Sequence, residues 1–145
     1  MQLEQYKTKP DPPVDKVQVL TGLDVLLDKK MDLIQGKSVA LVTNHTGIDK
    51  LGIPNYKHLM YMKDVDLKVI FSPEHGLFGE AGAGEKVSYT EKDSGLPKVI
   101  SLYGSMRKPT AEMLSDINLI IYDIQDIGTR FYTYITTLGL VMEVA

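Results

Sequence analysis

Four short, almost wholly apolar runs punctuate the chain and restrict its fold more than anything else in it. They are Val39-Ala40-Leu41-Val42, Leu67-Lys68-Val69-Ile70-Phe71, Val99-Ile100-Ser101-Leu102 and Leu119-Ile120-Ile121-Tyr122. An amphipathic strand alternates apolar and polar residues. A continuous apolar run of this length is a strand buried on both faces. The intervals between the runs carry helical signals. Leu23, Leu26, Leu27, Met31 and Ile34 fall at helical spacing, with Gly36 as a stop. A short helix is expected from Asn55 to Met62, after Pro54. Another runs from Pro109 to Leu114, with the proline in its first turn. A last helix starts at about Thr129 or Arg130. Buried strands alternating with helices predict a parallel sheet covered on both sides, a doubly wound, Rossmann-like α/β domain.

That topology carries a functional expectation. Loops at the carboxyl ends of parallel strands collect along one edge of the sheet, where ligands bind. Asn44 and His45 follow the first run, Glu74 and His75 the second, and Tyr103 the third. The segment from Asp123 to Arg130, with Gln125 and Asp126, follows the fourth. Residues far apart in sequence are therefore expected on one rim. Residues 76–97 hold five glycines without sustained periodicity and read as a long loop, with a strand near Val87–Tyr89.

Length and charge narrow the function. A chain of 145 residues fits one domain, and residues 1–20 read as a flexible polar tail before a domain at 21–145. Hydrophobic residues at 43% and charged residues at 24% suit a packed core. The net charge of −3, with no basic cluster beyond Lys29-Lys30 or Arg107-Lys108, excludes a general nucleic-acid binder. No cysteine is present, so disulfides, thiolate metal sites and a cysteine nucleophile are excluded. No apolar run reaches the roughly 18 residues of a membrane span. The residues from Leu138 to Ala145 still read as helix, without a cap, and a further strand is expected to follow in a longer protein.

Among polar residues, Glu74 stands out. Pro73 stiffens the approach to it, and Gly76 permits a sharp turn after it. A carboxyl held rigidly at a strand end beside apolar groups suits general acid catalysis. The competing reading is a loop carboxylate that caps an amide or pairs with a lysine. Asp123 and Asp126 are candidates for the second carboxylate that most glycosidases need. Equally, Asp126 or Thr129 could cap the following helix. Arg130, expected in that helix's first turn where a cation gains nothing from the dipole, suits an anionic substrate group, or a salt bridge to Asp123 or Asp126. Asn44, His45 and Thr46 offer donors and acceptors to a sugar, or simply build a turn. His75 is placed to tune Glu74. No metal site is expected: there are three histidines, without the spacing of a metal-binding helix. The glycine-rich run Gly76 to Glu85 fits neither the phosphate loop nor the dinucleotide fingerprint and reads as a mobile lid over the cleft or as a simple flexible loop.

Several strings occur together and in order: Val42-Thr43-Asn44-His45-Thr46-Gly47, Phe71-Ser72-Pro73-Glu74-His75-Gly76-Leu77-Phe78-Gly79, Ser101-Leu102-Tyr103-Gly104, Asp123-Ile124-Gln125-Asp126-Ile127-Gly128-Thr129-Arg130 and Phe131-Tyr132-Thr133-Tyr134. In these strings the chain, from about Thr21 onward, resembles the bacterial DUF1343 family of NamZ-type exo-β-N-acetylmuramidases. The resemblance implies a Rossmann-like N-terminal domain followed by a C-terminal domain that these 145 residues do not include. It implies release of N-acetylmuramic acid from non-reducing ends of peptidoglycan fragments, with Glu74 as the leading catalytic candidate. It also implies export from the cytoplasm and no cofactor. The lactyl carboxylate of such a substrate gives Arg130 an expected partner. Expected partners are muramyl sugars, with self-association through the face that a second domain would cover. Two other readings stand beside this one: a non-catalytic module that holds wall sugars, and a metal-assisted or phosphoryl hydrolase using Asp123.

Overall fold

The computed structural model describes residues 19–79, 82 and 95–145. Residues 1–18 of the tail expected at 1–20, residues 80, 81 and 83–85 of the glycine-rich run and the expected strand near Val87–Tyr89 lie outside them. Four strands form one parallel sheet: β1 (Lys37–Thr43), β2 (Val65–Ser72), β3 (Lys98–Ser101) and β4 (Leu119–Asp123). Their order is β3-β2-β1-β4. The chain steps outward from β1 to β3, then returns to lay β4 on the other side of β1. The carboxyl ends of β1 and β4 therefore flank the switch point of a Rossmann-like sheet. Every strand contains its apolar run from the sequence, extended or trimmed by one or two residues.

Helices cover both faces because the runs are apolar on both. On one face, Val39, Leu41, Leu67 and Ile70 pack beneath α1 (Gly22–Lys29) and α2 (Asn55–Tyr61), with Ile34 and Leu59 filling the layer. On the other, Ala40, Val42, Val69 and Phe71 meet Val141 of α3 (Tyr134–Met142). Full burial of each large side chain in β1 contributes roughly 1.5–3 kcal/mol. An irregularity opposite Val39 and Ala40 pairs them with Leu67 and Val69, skipping Lys68. That bulge switches faces: Val65 and Leu67 point one way, Val69 and Phe71 the other.

Three helical expectations are corrected. The first helix ends at Lys29, and only a 3-10 turn, Met31–Leu33, continues it. Its start is sharper than its periodicity suggested. Thr21 and Asp24 form a reciprocal capping box, each side chain bonding the other's backbone N–H at 2.8–3.1 Å. The stretch expected to be helical from Pro109 is a 3-10 turn, Glu112–Leu114. The last helix starts at Tyr134, not at Thr129 or Arg130. Gly128 adopts φ 74°, and its N–H is taken by Asp126 Oδ1 at 2.6 Å, so the chain turns there and delays the helix. Thr133, rather than Asp126 or Thr129, occupies the N-cap position, and its hydroxyl does not cap the helix.

Candidate active site

The turn after β2 presents Glu74. Pro73 is fully buried and anchors the strand end. His75 follows with φ 72°, the one non-glycine residue with positive φ among those described, and Gly76 with φ 77°. Two successive left-handed residues reverse the chain within one step, closed by a bond from Gly76 N–H to the Pro73 carbonyl at 3.2 Å. For histidine that conformation is costly, so the turn is held by its surroundings. Leu77, fully buried, is one such anchor. Glu74, half-buried, is left facing a cleft, where its Oε2 accepts a hydrogen bond from Thr133 Oγ1 at 3.1 Å.

The cleft measures about 320 Å³. Thr133, Thr136, Thr137 and Leu140 form one wall, at the i, i+3, i+4, i+7 spacing of a single helix face. Glu74 and Leu102 line it too, as do Tyr103 and Arg107 from the segment after β3. Tyr103 is thus where the sequence placed it. Arg107 was visible only as half of a basic pair, and nothing in its local pattern marked it as a cleft residue. A second, apolar groove of about 370 Å³ runs between α1 and the outer strand β4. Its lining is hydrocarbon apart from Asn55 and Asp123, and it does not include Glu74.

Asn44 is buried at the end of β1. Its Oδ1 accepts from Thr46 N–H at 2.9 Å and Thr46 Oγ1 at 2.6 Å, which forms the turn the sequence suggested. Thr46 Oγ1 in turn accepts from the Gln125 N–H at 2.9 Å, tying the β1 turn to the segment after β4. The Asn44 amide nitrogen is buried without a well-formed hydrogen bond, although it lies close enough to the Tyr134 hydroxyl to favour its ionised form. Other influences on Tyr134 win. Burial, a hydrogen bond that its protonated hydroxyl donates to Tyr132, and the negative charge of Glu74 push its hydroxyl up to about 12. Glu74, Asn44, Tyr132 and Tyr134 therefore share one polar neighbourhood, with the two tyrosine rings edge to face at 4.8 Å. His45 is exposed, its ring against Gly79, where no side chain would fit.

Asp123 is differently occupied. Its Oδ2 accepts from Asn55 Nδ2 at 2.8 Å, and its carbonyl accepts from Thr43 Oγ1 at 2.8 Å. Asn55 Nδ2 also donates to Thr43 Oγ1 at 2.7 Å. Gly47 packs so closely on Asn55 and Thr43 that a methyl group there would overlap both. Asn55, which the sequence reading treated only as the start of a helix, is the hub of this junction. Gln125, Asp126 and Arg130 are exposed on the loop beyond. Arg130 precedes α3 by four residues and pairs with neither Asp123 nor Asp126. Among the described residues, no three histidine, aspartate or glutamate side chains converge as metal ligands.

Fold and site together define a Rossmann-like α/β domain whose strand-end rim carries one glutamate open to a cleft. Residues 39–145 match the family described as exo-beta-N-acetylmuramidase NamZ, N-terminal, and the chain belongs to that family. It is 44% identical over 131 residues to the peptidoglycan beta-N-acetylmuramidase NamZ of Bacillus subtilis (strain 168), covering 90% of this chain and 31% of that protein. Two crystal structures of DUF1343 family proteins from Bacteroides fragilis NCTC 9343 share the fold. One has a TM-score of 0.76 at 44% identity, the other 0.64 at 28%, each covering 87% of this chain and 31% of the other. The chain thus spans about a third of the length of the relatives it matches.

Proposed function

We propose that the chain forms the Glu74-bearing part of an exo-β-N-acetylmuramidase, which releases N-acetylmuramic acid from the non-reducing ends of peptidoglycan fragments. Glu74 is the general acid: it protonates the glycosidic oxygen as the bond to the anomeric carbon breaks. The observation that carries this reading is its placement, half-buried after Pro73 and facing a cleft, with one side-chain hydrogen bond among the described residues, from Thr133. Thr133 Oγ1 fixes the carboxyl's direction while leaving the other oxygen for substrate. Family membership supports the substrate class.

A second carboxylate completes the reaction, either as a base for water or as a nucleophile. Asp123 has one oxygen committed to Asn55, whereas Asp126 uses one oxygen in its turn and is otherwise exposed. The second group therefore comes from Asp126 or from the remainder of the full-length protein. An extracytoplasmic setting follows from the substrate.

The test is release of N-acetylmuramic acid from a β-linked chromogenic muramide by the full-length protein and its Glu74→Gln variant. Turnover that falls at least about 10²-fold in a folded variant supports the assignment. A folded full-length protein that turns over neither this substrate nor a muramyl disaccharide ends it, and leaves a wall-sugar-binding module.

A further inference from the structure

Arg107 is the one cation among the described residues that lines the Glu74 cleft. Its side chain is exposed and pairs with no carboxylate among the described residues. Its backbone, in contrast, is held. Met106 packs into the core beneath α3, and Lys108 forms an ion pair with Glu143, just beyond the end of α3, at 2.9 Å. An arginine fastened on both sides, with its own guanidinium uncommitted at a cleft wall, is positioned to receive an anion. The same cleft is lined by Thr133, Thr136 and Thr137, whose hydroxyls suit a neutral sugar but do not neutralise charge.

We propose that Arg107 is a specificity-determining residue that binds the lactyl carboxylate of the substrate's N-acetylmuramic acid. This rests on the muramidase reading and deepens it. N-acetylmuramic acid differs from N-acetylglucosamine by a lactyl ether that ends in a carboxylate. A guanidinium grips such a group through two parallel hydrogen bonds, and a charged pair of this kind is stronger than a neutral one. Arg107 therefore lets the cleft distinguish the two sugars, and makes a lactyl group capped as an amide a poorer ligand. The role expected of Arg130 passes to Arg107, because Arg107 shares a cleft with Glu74 and Arg130 does not.

The experiment compares two chromogenic β-muramides, one with a free lactyl carboxylate and one with it converted to the methylamide, on the full-length protein. The variants are Arg107→Ala, Arg107→Lys and Arg130→Ala. Arg107→Ala is expected to lower kcat/KM for the free acid by about 10- to 100-fold, mostly through KM, and for the amide by less than about threefold. Arg107→Lys restores part of the loss, since it keeps the charge but not the fork. Arg130→Ala leaves the ratio between substrates unchanged. Equal losses on both substrates, no loss on either, or a selective loss in Arg130→Ala instead would overturn the proposal while leaving the muramidase reading intact. Failure of the unsubstituted protein to hydrolyse the free-acid muramide would overturn both.

Discussion

Two carboxylates end buried strands in this domain, and they have opposite surroundings. Asp123, at the end of β4, meets Asn55, whose amide also reaches Thr43, while the Thr43 hydroxyl bonds the Asp123 carbonyl. Glu74, just past β2, accepts one side-chain hydrogen bond among the described residues, from Thr133, and faces a cleft of about 320 Å³. Position relative to the sheet is similar, so position alone does not separate structure from chemistry. What separates them is the setting of the hydrogen bond each carboxylate accepts: Asp123 is tied to buried Asn55 inside a junction between β1, β4 and α2, whereas Glu74 is bonded by Thr133, which lines the cleft with it. Asp123 takes part in closing the switch point, whereas Glu74 opens onto space that a ligand can enter.

The sharpest way to break this contrast is Glu74→Gln. Activity of the full-length protein should fall at least about 10²-fold while its melting temperature hardly changes, because an exposed threonine bond contributes little to stability. A variant that loses activity only by unfolding would move Glu74 into the structural class. At the other site the expected signature is reversed. Gly47→Ala drives a methyl into Asn55 and Thr43 and should cost about 1–3 kcal/mol in urea unfolding. Asn55→Ala leaves the Asp123 oxygen without its donor and should also cost about 1–3 kcal/mol, with a smaller loss of activity per folded molecule than Glu74→Gln. If Asn55→Ala were as stable as the parent, the junction would not be the clamp its geometry describes.

The smallest effect expected concerns pH. Burial, before any other cause, pushes both Tyr122 and Tyr134 up to about 12 from a usual 10. The folded protein then keeps protons that the unfolded chain releases above pH 10. That stabilisation is complete below pH 10 and is lost as pH rises toward about 12. Melting temperature should therefore decline across this window, and less steeply in Tyr134→Phe than in the parent. An unchanged slope in the variant would show that Tyr134 titrates as an ordinary exposed phenol.

Much of the fold was legible because the signals that set it are local. Unbroken apolar runs such as Leu119–Tyr122 mark strands buried on both faces, and the strand ends then place Glu74, Asn44, Tyr103 and Asp123 on one rim. The start of α3 was misread because helical composition from Thr129 onward masked the turn at Gly128, although glycine there was itself a signal. Asn55 and Arg107 could not be recognised locally. Asn55 acquires its meaning from Thr43 and from Asp123, which is 68 residues away. Arg107 acquires its own from a helix face formed by residues 133–140. Pairing across such distances is a property of the sheet order, which single-segment patterns do not contain.

The left-handed histidine after Glu74 has a consequence for anyone wishing to make this protein more heat-resistant. Glycine at position 75 would relieve a backbone conformation that costs histidine on the order of 1 kcal/mol, and a search guided by thermal denaturation alone would welcome the exchange. Yet the same replacement removes the side chain next to Glu74 and gives the turn more freedom, so the proposed acid would be held less firmly toward the cleft. Heat tolerance and turnover would be selected in opposite directions at this one position, and a screen that scores only the first would discard the second.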